Sequence, residues 1–213
     1  MEIEVWSDIA CPFCYIGKRV LDKALAQFEY KSEVKVAFRS FQLNPDLETD
    51  PTLNPVQHLA SLKGWSLDYT RGLQAKVVLM GHEVGLGMNF ENGVVANTFD
   101  AHRLIQFAQS RGDSSRVVEA LFEAYFCSGL NVADPEVLVA LAIQAGLDKV
   151  EAEKVMRSDA FSDQVLEDCH RARHLGIRGV PFTLVAGKYA VSGAQPLEIF
   201  LSALQKSWAE TRA

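Results

Sequence analysis

Cysteine is scarce. Four residues among 213 are too few for the disulfide scaffold of a small secreted domain. Positive charge is in deficit: 21 Lys plus Arg stand against 27 Asp plus Glu, a formal net charge of −6. That balance argues against a general nucleic-acid binder, although it leaves room for a local basic patch. Long apolar runs are missing too. The longest, Val137 to Ile143, falls far short of the roughly 20 residues a membrane span requires. The opening residues, Met1-Glu2-Ile3-Glu4-Val5-Trp6-Ser7-Asp8, have neither the basic leader nor the apolar stretch of a secretory signal. The expectation is a cytoplasmic protein. No internal repeat, low-complexity tract or long linker is visible.

What is present is ordinary globular composition, 48% hydrophobic and 23% charged, which excludes disorder and fibrous repeats. A chain of this length should bury roughly 70% of its unfolded surface, so it needs no disulfide or metal to fold. Ile3 and Val5 alternate with polar residues and predict a strand, with Ile9 continuing the pattern. After Ala10-Cys11-Pro12-Phe13-Cys14, the residues Ile16, Val20, Ala24 and Phe28 recur at helical spacing. Pro12 suits the first turn of that helix, where no N–H is needed. Val34 to Phe38 alternates again as a second strand. The first 40 residues therefore read as strand, helix, strand.

From about residue 54 to 157 the periodicity is helical, with no convincing strand. Leu73, Val77, Met80 and Val84 make one stripe, and Val117, Val118, Leu121, Phe122, Tyr125 and Phe126 another. Asn97 is the expected cap of a helix bearing Ala101, Leu104, Ile105 and Ala108. Asp134-Pro135 and Asp148 are further expected caps, and Ser158 is expected to open a helix running to about Gly176. Phe182 to Ala186 and Tyr189 to Ser192, joined by Gly187-Lys188, predict a hairpin. A last helix carries Leu197, Phe200, Leu201, Leu204 and Trp208. One hairpin cannot cover itself, so the two β-rich ends should share one sheet. Residues 1–40 and 158–213 would form that α/β unit, and 41–157 an inserted helical domain.

Cys11-Pro12-Phe13-Cys14 is the strongest chemical signal. A helix N-terminus offers unpaired N–H groups and the positive dipole end. Such sites lower a cysteine pKa from about 8.5 to about 3.5–7.5. Cys11, at the helix edge, is the expected nucleophile. Cys14, one turn inside, is the expected resolving thiol, releasing a mixed disulfide formed on Cys11. A zinc site would need a second ligand pair, and Cys127 and Cys169 are isolated, so no metal is expected. Two inert core thiols are the remaining reading. Val180-Pro181 is the second signal. Spacing leaves it open between a trans proline opening a strand and a cis proline that frees the Val180 backbone to pair with an extended substrate.

A strand leading into Cys11-Pro12-Phe13-Cys14-Tyr15, with Gly179-Val180-Pro181-Phe182 before a hairpin, resembles the thioredoxin superfamily. The helical insertion after the second strand resembles its DsbA branch. Finer motifs resemble the FrnE-like group within that branch. These are Trp6-Ser7-Asp8, Cys14-Tyr15-Ile16-Gly17-Lys18, Phe41-Gln42-Leu43-Asn44-Pro45, the run from Asn97 to Leu104, and Tyr189 to Gln195. The resemblance implies a thioredoxin fold, a cis Pro181 and thiol–disulfide exchange with protein or small thiol substrates. It implies no bound cofactor, metal, flavin or nicotinamide, with glutathione or a thioredoxin system as candidate reductant. The sequence departs from the group at Phe13, where the group often has Trp and strongly oxidising DsbA proteins have His. Phe13 cannot donate to a Cys11 thiolate. The expectation is a potential on the reducing side of DsbA, on a scale from about −270 mV for thioredoxin to about −120 mV for DsbA.

The same resemblance extends to kappa-class glutathione transferases and 2-hydroxychromene-2-carboxylate isomerases, which typically place Ser where Cys11 stands. Both sulfurs are present here, which favours redox work. A module that only binds extended chains is a third reading. It predicts peptide binding that survives loss of Cys11. Asp8 is a candidate proton relay to Cys14, against a plain turn or cap. The stretch from Asn97 to Arg103, with Asn97 and Arg103 as its named candidates, is expected to line the active-site cleft on the strength of that motif, against a capped helix with Arg103 and His102 on the surface. Gln195, together with Pro12, Phe13 and Val180, completes the expected substrate-facing set. Cys127 and Cys169 are expected to be structural thiols. Cys169, His170 and His174 are expected on a solvated or packed helix face.

Overall fold

The computed structural model describes residues 1–211. β1 (Glu2–Ser7) leads to α1 (Pro12–Gln27), a 3-10 turn (Lys31–Glu33) and β2 (Lys35–Ser40). β1 and β2 are parallel, with Ile3 opposite Val36 and Val5 opposite Phe38. Parallel neighbours need a crossover, and α1 is that crossover. From the far end of the chain, β3 (Phe182–Val185) and β4 (Tyr189–Ser192) form a hairpin, and β3 joins β1 antiparallel. The order is β2-β1-β3-β4, so the two β-rich ends do share one sheet. The hairpin turn sets Ala186 at φ 50° and Gly187 at φ 68°, and the Lys188 N–H donates to the Val185 carbonyl at 3.1 Å. Two left-handed residues match the twist of the flanking strands.

β1 is buried on both faces. Ile3 and Val5 join the main core with Leu21 and Ala24 of α1 and with Phe200 and Leu204 of α9 (Leu197–Thr211). Trp6 points the other way, onto Ala172 of α8 (Ser162–His174) and Ile177. Its indole N–H donates to the Asp168 carbonyl at 3.2 Å, and the Arg171 guanidinium lies over its ring at 5.2 Å. Glu4, two residues earlier on the same face, pairs with Arg39 at 2.7 Å and with Arg171.

Between β2 and α8 run α2 (Pro55–Lys63), α3 (Leu67–Glu83), α4 (Phe99–Ser110), α5 (Ser115–Phe126), α6 (Pro135–Gln144) and α7 (Lys149–Met156). The side chains of Asn54, Ser66, Asp134 and Asp148 accept first-turn N–H groups, which is why four of these helices begin where they do. Leu104, Phe107, Leu121 and Phe122 of α4 and α5 lie in one core with Ile16 of α1 and Phe38 of β2. A charged knot ties α1 to α5. Glu119 accepts from the Tyr15 hydroxyl and the Lys18 ammonium at 2.8 Å each and from Arg19 at 2.6 Å. Lys18 is buried, and Asp22 at 2.8 Å completes its pairing, as a buried charge requires.

Two helix starts differ from expectation. Thr98, not Asn97, is the cap residue of α4, although the Asn97 side chain accepts from the Phe99 N–H at 2.8 Å. α8 begins at Ser162 rather than Ser158. The carbonyls of Val155, Ser158 and Ala160 converge on the Arg103 guanidinium. Phe161 takes a left-handed φ of 68° before α8 starts. β1 also ends at Ser7, short of Ile9, because the Asp8 carbonyl turns to accept the Cys11 N–H at 3.0 Å.

Candidate active site

The turn from β1 into α1 places both cysteines. Cys11 is the cap residue of α1, with extended backbone (φ −100°, ψ 109°), and Pro12 opens the helix. The first turn holds no acidic residue, so the positive end of the helix faces the sulfurs. Cys11 is 4% exposed and Cys14 2%, and both are free thiols. Phe13 between them is 41% exposed and stands out from the surface.

The two thiols differ in acidity. The neighbouring Cys14 side chain is the largest influence on Cys11, and it favours the Cys11 thiolate. Burial opposes it, and the N–H groups of Cys14 and Phe13 reinforce it, so the Cys11 pKa is lowered. Cys14 moves the other way. Burial comes first and its bond to Cys11 second, so its thiol is held well above the ordinary range. Cys11 is thus the more acidic of the two thiols and Cys14 the less acidic, an order that suits first attack by Cys11.

Facing the pair is the turn before β3. The Val180–Pro181 bond is cis, and the Cys11 thiol donates to the Val180 carbonyl at 3.6 Å. Gly17 lets α1 approach this turn closely. A Cβ there would stand 3.2 Å from Pro181 Cγ and 3.8 Å from Ala194 Cα. The Gly193 N–H donates to the Pro181 carbonyl at 2.8 Å, and Gln195, exposed, donates its amide to the Ser192 carbonyl at 2.8 Å. A cavity of about 400 Å³ borders the loop, lined by Arg178, Val180, Pro181, Phe182, Ser192 and Gly193 among others.

The DSBA-like thioredoxin domain family matches residues 2–205 of this sequence. The chain belongs to that family. It is similar to the solved structure of a probable DsbA oxidoreductase from Streptomyces coelicolor, with 37% identity and a TM-score of 0.90 over 99% of this chain and 91% of that one. The fold is shared with 2-hydroxychromene-2-carboxylate isomerase, at 18% identity and a TM-score of 0.73 over 100% of this chain and 98% of that one. It is shared as well with the cytosolic disulfide reductase DsbM of Pseudomonas aeruginosa solved with glutathione, at 14% identity and 0.63 over 100% and 98%. The protein YwbO of Bacillus subtilis is 26% identical over 208 residues, 96% of each chain.

In this DSBA-like chain the remaining candidates fall into two groups. Asp8 lies in the site. It is 1% exposed, so it is no solvated turn. Its carboxylate accepts from the Leu43 N–H at 2.7 Å and the Ala10 N–H at 3.3 Å. Burial pushes its pKa up, but the neighbouring His102, the Leu43 N–H and the Thr98 side chain outweigh burial, and the net shift is downward. Its charge acts on Cys11, and its own N–H faces the Cys14 sulfur. Asn97 lies one shell further out. Its amide donates to the carbonyls of Pro45 and Leu47 at 3.1 and 2.8 Å, and its oxygen accepts from Gln42 at 3.2 Å. It staples the 42–47 loop that Asp8 holds at Leu43.

Arg103 is turned away from the cysteines. It is 4% exposed and is spent on Asp100 at 2.7 Å and on the α7–α8 carbonyls. Neither Arg103 nor His102 lies on a solvated face, since His102 is 1% exposed with Nε2 3.5 Å from Asp8 Oδ1. His102 lay inside the Asn97–Arg103 stretch expected at the cleft, but sequence reasoning did not single it out. The signal available was its place in the Asn97–Leu104 run, but helical periodicity alone could not aim it at Asp8. Cys127 and Cys169 are half-buried, and burial raises both thiols. Among the described residues no cluster of three or more His, Cys, Asp or Glu is arranged to hold a metal, and no helix is long and apolar enough to cross a membrane.

Proposed function

We propose that this protein is a dithiol–disulfide oxidoreductase acting on protein or small thiol substrates. The observation that carries the reading is the asymmetry of the pair: Cys11 caps the mouth of α1 with its thiol lowered, and Cys14 lies buried one turn inside with its thiol raised. The Cys11 thiolate attacks a substrate disulfide and expels one thiolate, leaving a mixed disulfide. Cys14 then attacks the Cys11 sulfur, releases the second substrate thiolate and leaves Cys11–Cys14 oxidised. Asp8 is the base that accepts the Cys14 proton. Val180, with Pro181 behind it, is the backbone that an extended substrate pairs with, and Pro12, Phe13 and Gln195 border it. Two equivalents of glutathione, or a thioredoxin-type dithiol, return the pair to the reduced state. The half-buried thiols of Cys127 and Cys169 fit a cytoplasmic setting, where thiols stay reduced. The similarity to a probable DsbA oxidoreductase at 37% identity points to the same chemistry.

A glutathione titration of the Cys11–Cys14 couple tests this. The expected result is a single two-electron transition on the reducing side of about −120 mV. Cys14→Ser should accumulate a stable adduct on Cys11. Absence of a Cys11–Cys14 disulfide at any glutathione ratio would overturn the reading. Turnover of a glutathione conjugate that is untouched by Cys14→Ala would instead favour a glutathione-dependent transferase or isomerase.

A further inference from the structure

The inserted helices send one buried titratable side chain to the cysteine site, and the exchange chemistry has not yet used it. His102 lies in the first turn of α4, its N–H donating to the Thr98 carbonyl at 3.0 Å. Neither ring nitrogen has a hydrogen-bond partner among the described residues. A buried polar group left this way carries a desolvation cost and calls for a reason. The contact it does make, Nε2 to Asp8 Oδ1 at 3.5 Å, is electrostatic and falls short of a hydrogen bond.

The surrounding charges narrow what that contact can do. Asp168 of α8 also feels His102. Its carboxylate is already engaged by the Ser40 N–H at 2.9 Å, the Gln106 amide at 2.6 Å and Arg39 at 3.5 Å. The other titratable groups that interact with Asp8 are Cys11 of α1, Tyr125 of α5 and Cys169 of α8. Cys14 of α1 faces its backbone. None of these carries positive charge. Among the described residues, His102 is the titratable side chain that chiefly offsets the carboxylate. A neutral ring does so with an N–H dipole and an imidazolium with a full charge.

We propose that His102 is a positioning residue for dithiol exchange, an imidazole packed against Asp8 that fixes the charge this buried carboxylate presents beside Cys11 and Cys14. The proposal rests on the exchange reading above. In the resolving step the Cys14 proton passes to Asp8, the Cys14 sulfur bonds to the Cys11 sulfur, and the substrate leaves as thiolate. The substrate disulfide is the oxidant, and no other co-reactant is needed. Without His102, burial is opposed only by the hydrogen bonds that remain on Asp8, the carboxylate takes up a proton at higher pH, and the base for Cys14 is weakened.

Stopped-flow reduction of an aryl disulfide with a chromophoric thiolate separates the two steps. The first thiolate released reports attack by Cys11, and the second reports closure by Cys14. In His102→Leu the acid limb of the second phase should move to higher pH by about one unit or more, about tenfold slower below the inflection. His102→Gln keeps an N–H toward Asp8 and should fall between His102→Leu and wild type. Superimposable second-phase profiles would overturn the proposal, as would a pH-independent fall in both variants, which packing alone would give. Should the variants fail to fold, carbon-13 aspartate spectra of the wild type decide. The Asp8 carboxyl, assigned through Asp8→Asn, should stay ionised from about pH 6 to 8, and protonation within that window sinks the proposal. A wild type that lacks the first phase would sink the exchange reading itself.

Discussion

Replacing Cys14 by alanine should raise the pKa of Cys11. The Cys14 thiol is the largest influence on Cys11, ahead of the opposing burial and of the helix N–H groups. A hydrogen bond to a charged acceptor is worth roughly 1.5–3 kcal/mol, and a thiol is a weak donor, so the lower end applies. One pKa unit corresponds to about 1.4 kcal/mol. The Cys11 titration should therefore move up by about one unit. Serine supplies an O–H in the same place, so Cys14→Ser should titrate near the wild type. Thiolate absorbance of the reduced proteins, followed against pH, reads the shift directly. Iodoacetamide alkylation at neutral pH should slow by a smaller factor, because a more basic thiolate is the better nucleophile. Equal Cys11 titrations in the alanine and serine variants would refute the idea that the Cys14 thiol acts as donor. The helix mouth alone would then have to account for the acidity of Cys11.

Phe13→His places a donor and a partial charge beside Cys11. If that bond is worth about 1.5–3 kcal/mol, the couple should become more oxidising by roughly 30–60 mV, and an unchanged glutathione titration would discard the argument from Phe13. Gly17→Ala adds a Cβ 3.2 Å from Pro181 Cγ. The helix gains up to about 1 kcal/mol of propensity while the contact costs a similar amount, so melting temperature should barely move. Exchange should nevertheless slow several-fold as the proline turn is displaced, and a variant as fast as the wild type would deny Gly17 that positioning role. Glu4 shows the pH dependence most clearly. Burial raises its carboxyl, but Arg171 and Arg39 outweigh burial and hold it below its usual range. A lowered carboxyl stabilises the fold above its unfolded pKa of about 4.3, and that stability is lost as pH falls through the folded value. Glu4→Gln should cost about 2 kcal/mol at neutral pH and flatten the loss in acid. Denaturant midpoints that shift by the same amount at every pH would contradict this.

Local chemistry made much of this protein legible in its amino-acid order. The alternation at Ile3 and Val5, the 3.6-residue stripe from Ile16 to Phe28, and Pro12 at the first helical position fix where the cysteines stand. A strand, a proline and a helix mouth are properties of consecutive residues. Asp134 and Asp148 announce their helices for the same reason, since a cap acts within three residues. Contacts between distant segments were not legible. Arg103 and His102 sit side by side on α4, and nothing in their spacing says that one binds the carbonyls before α8 while the other lies against Asp8. Nor does the chain order say that Asn97 holds the loop carrying Leu43, or that Arg103 binds the segment between α7 and α8. The amino-acid sequence by itself determined most of the elements and set a Cys11–Cys14 pair at the mouth of the first helix. Only the tertiary structure decided which buried groups surround the pair and in which direction they shift each thiol. Acidity depends on desolvation and on charges a few ångströms away, and those distances exist only after the two ends of the chain have closed into one sheet.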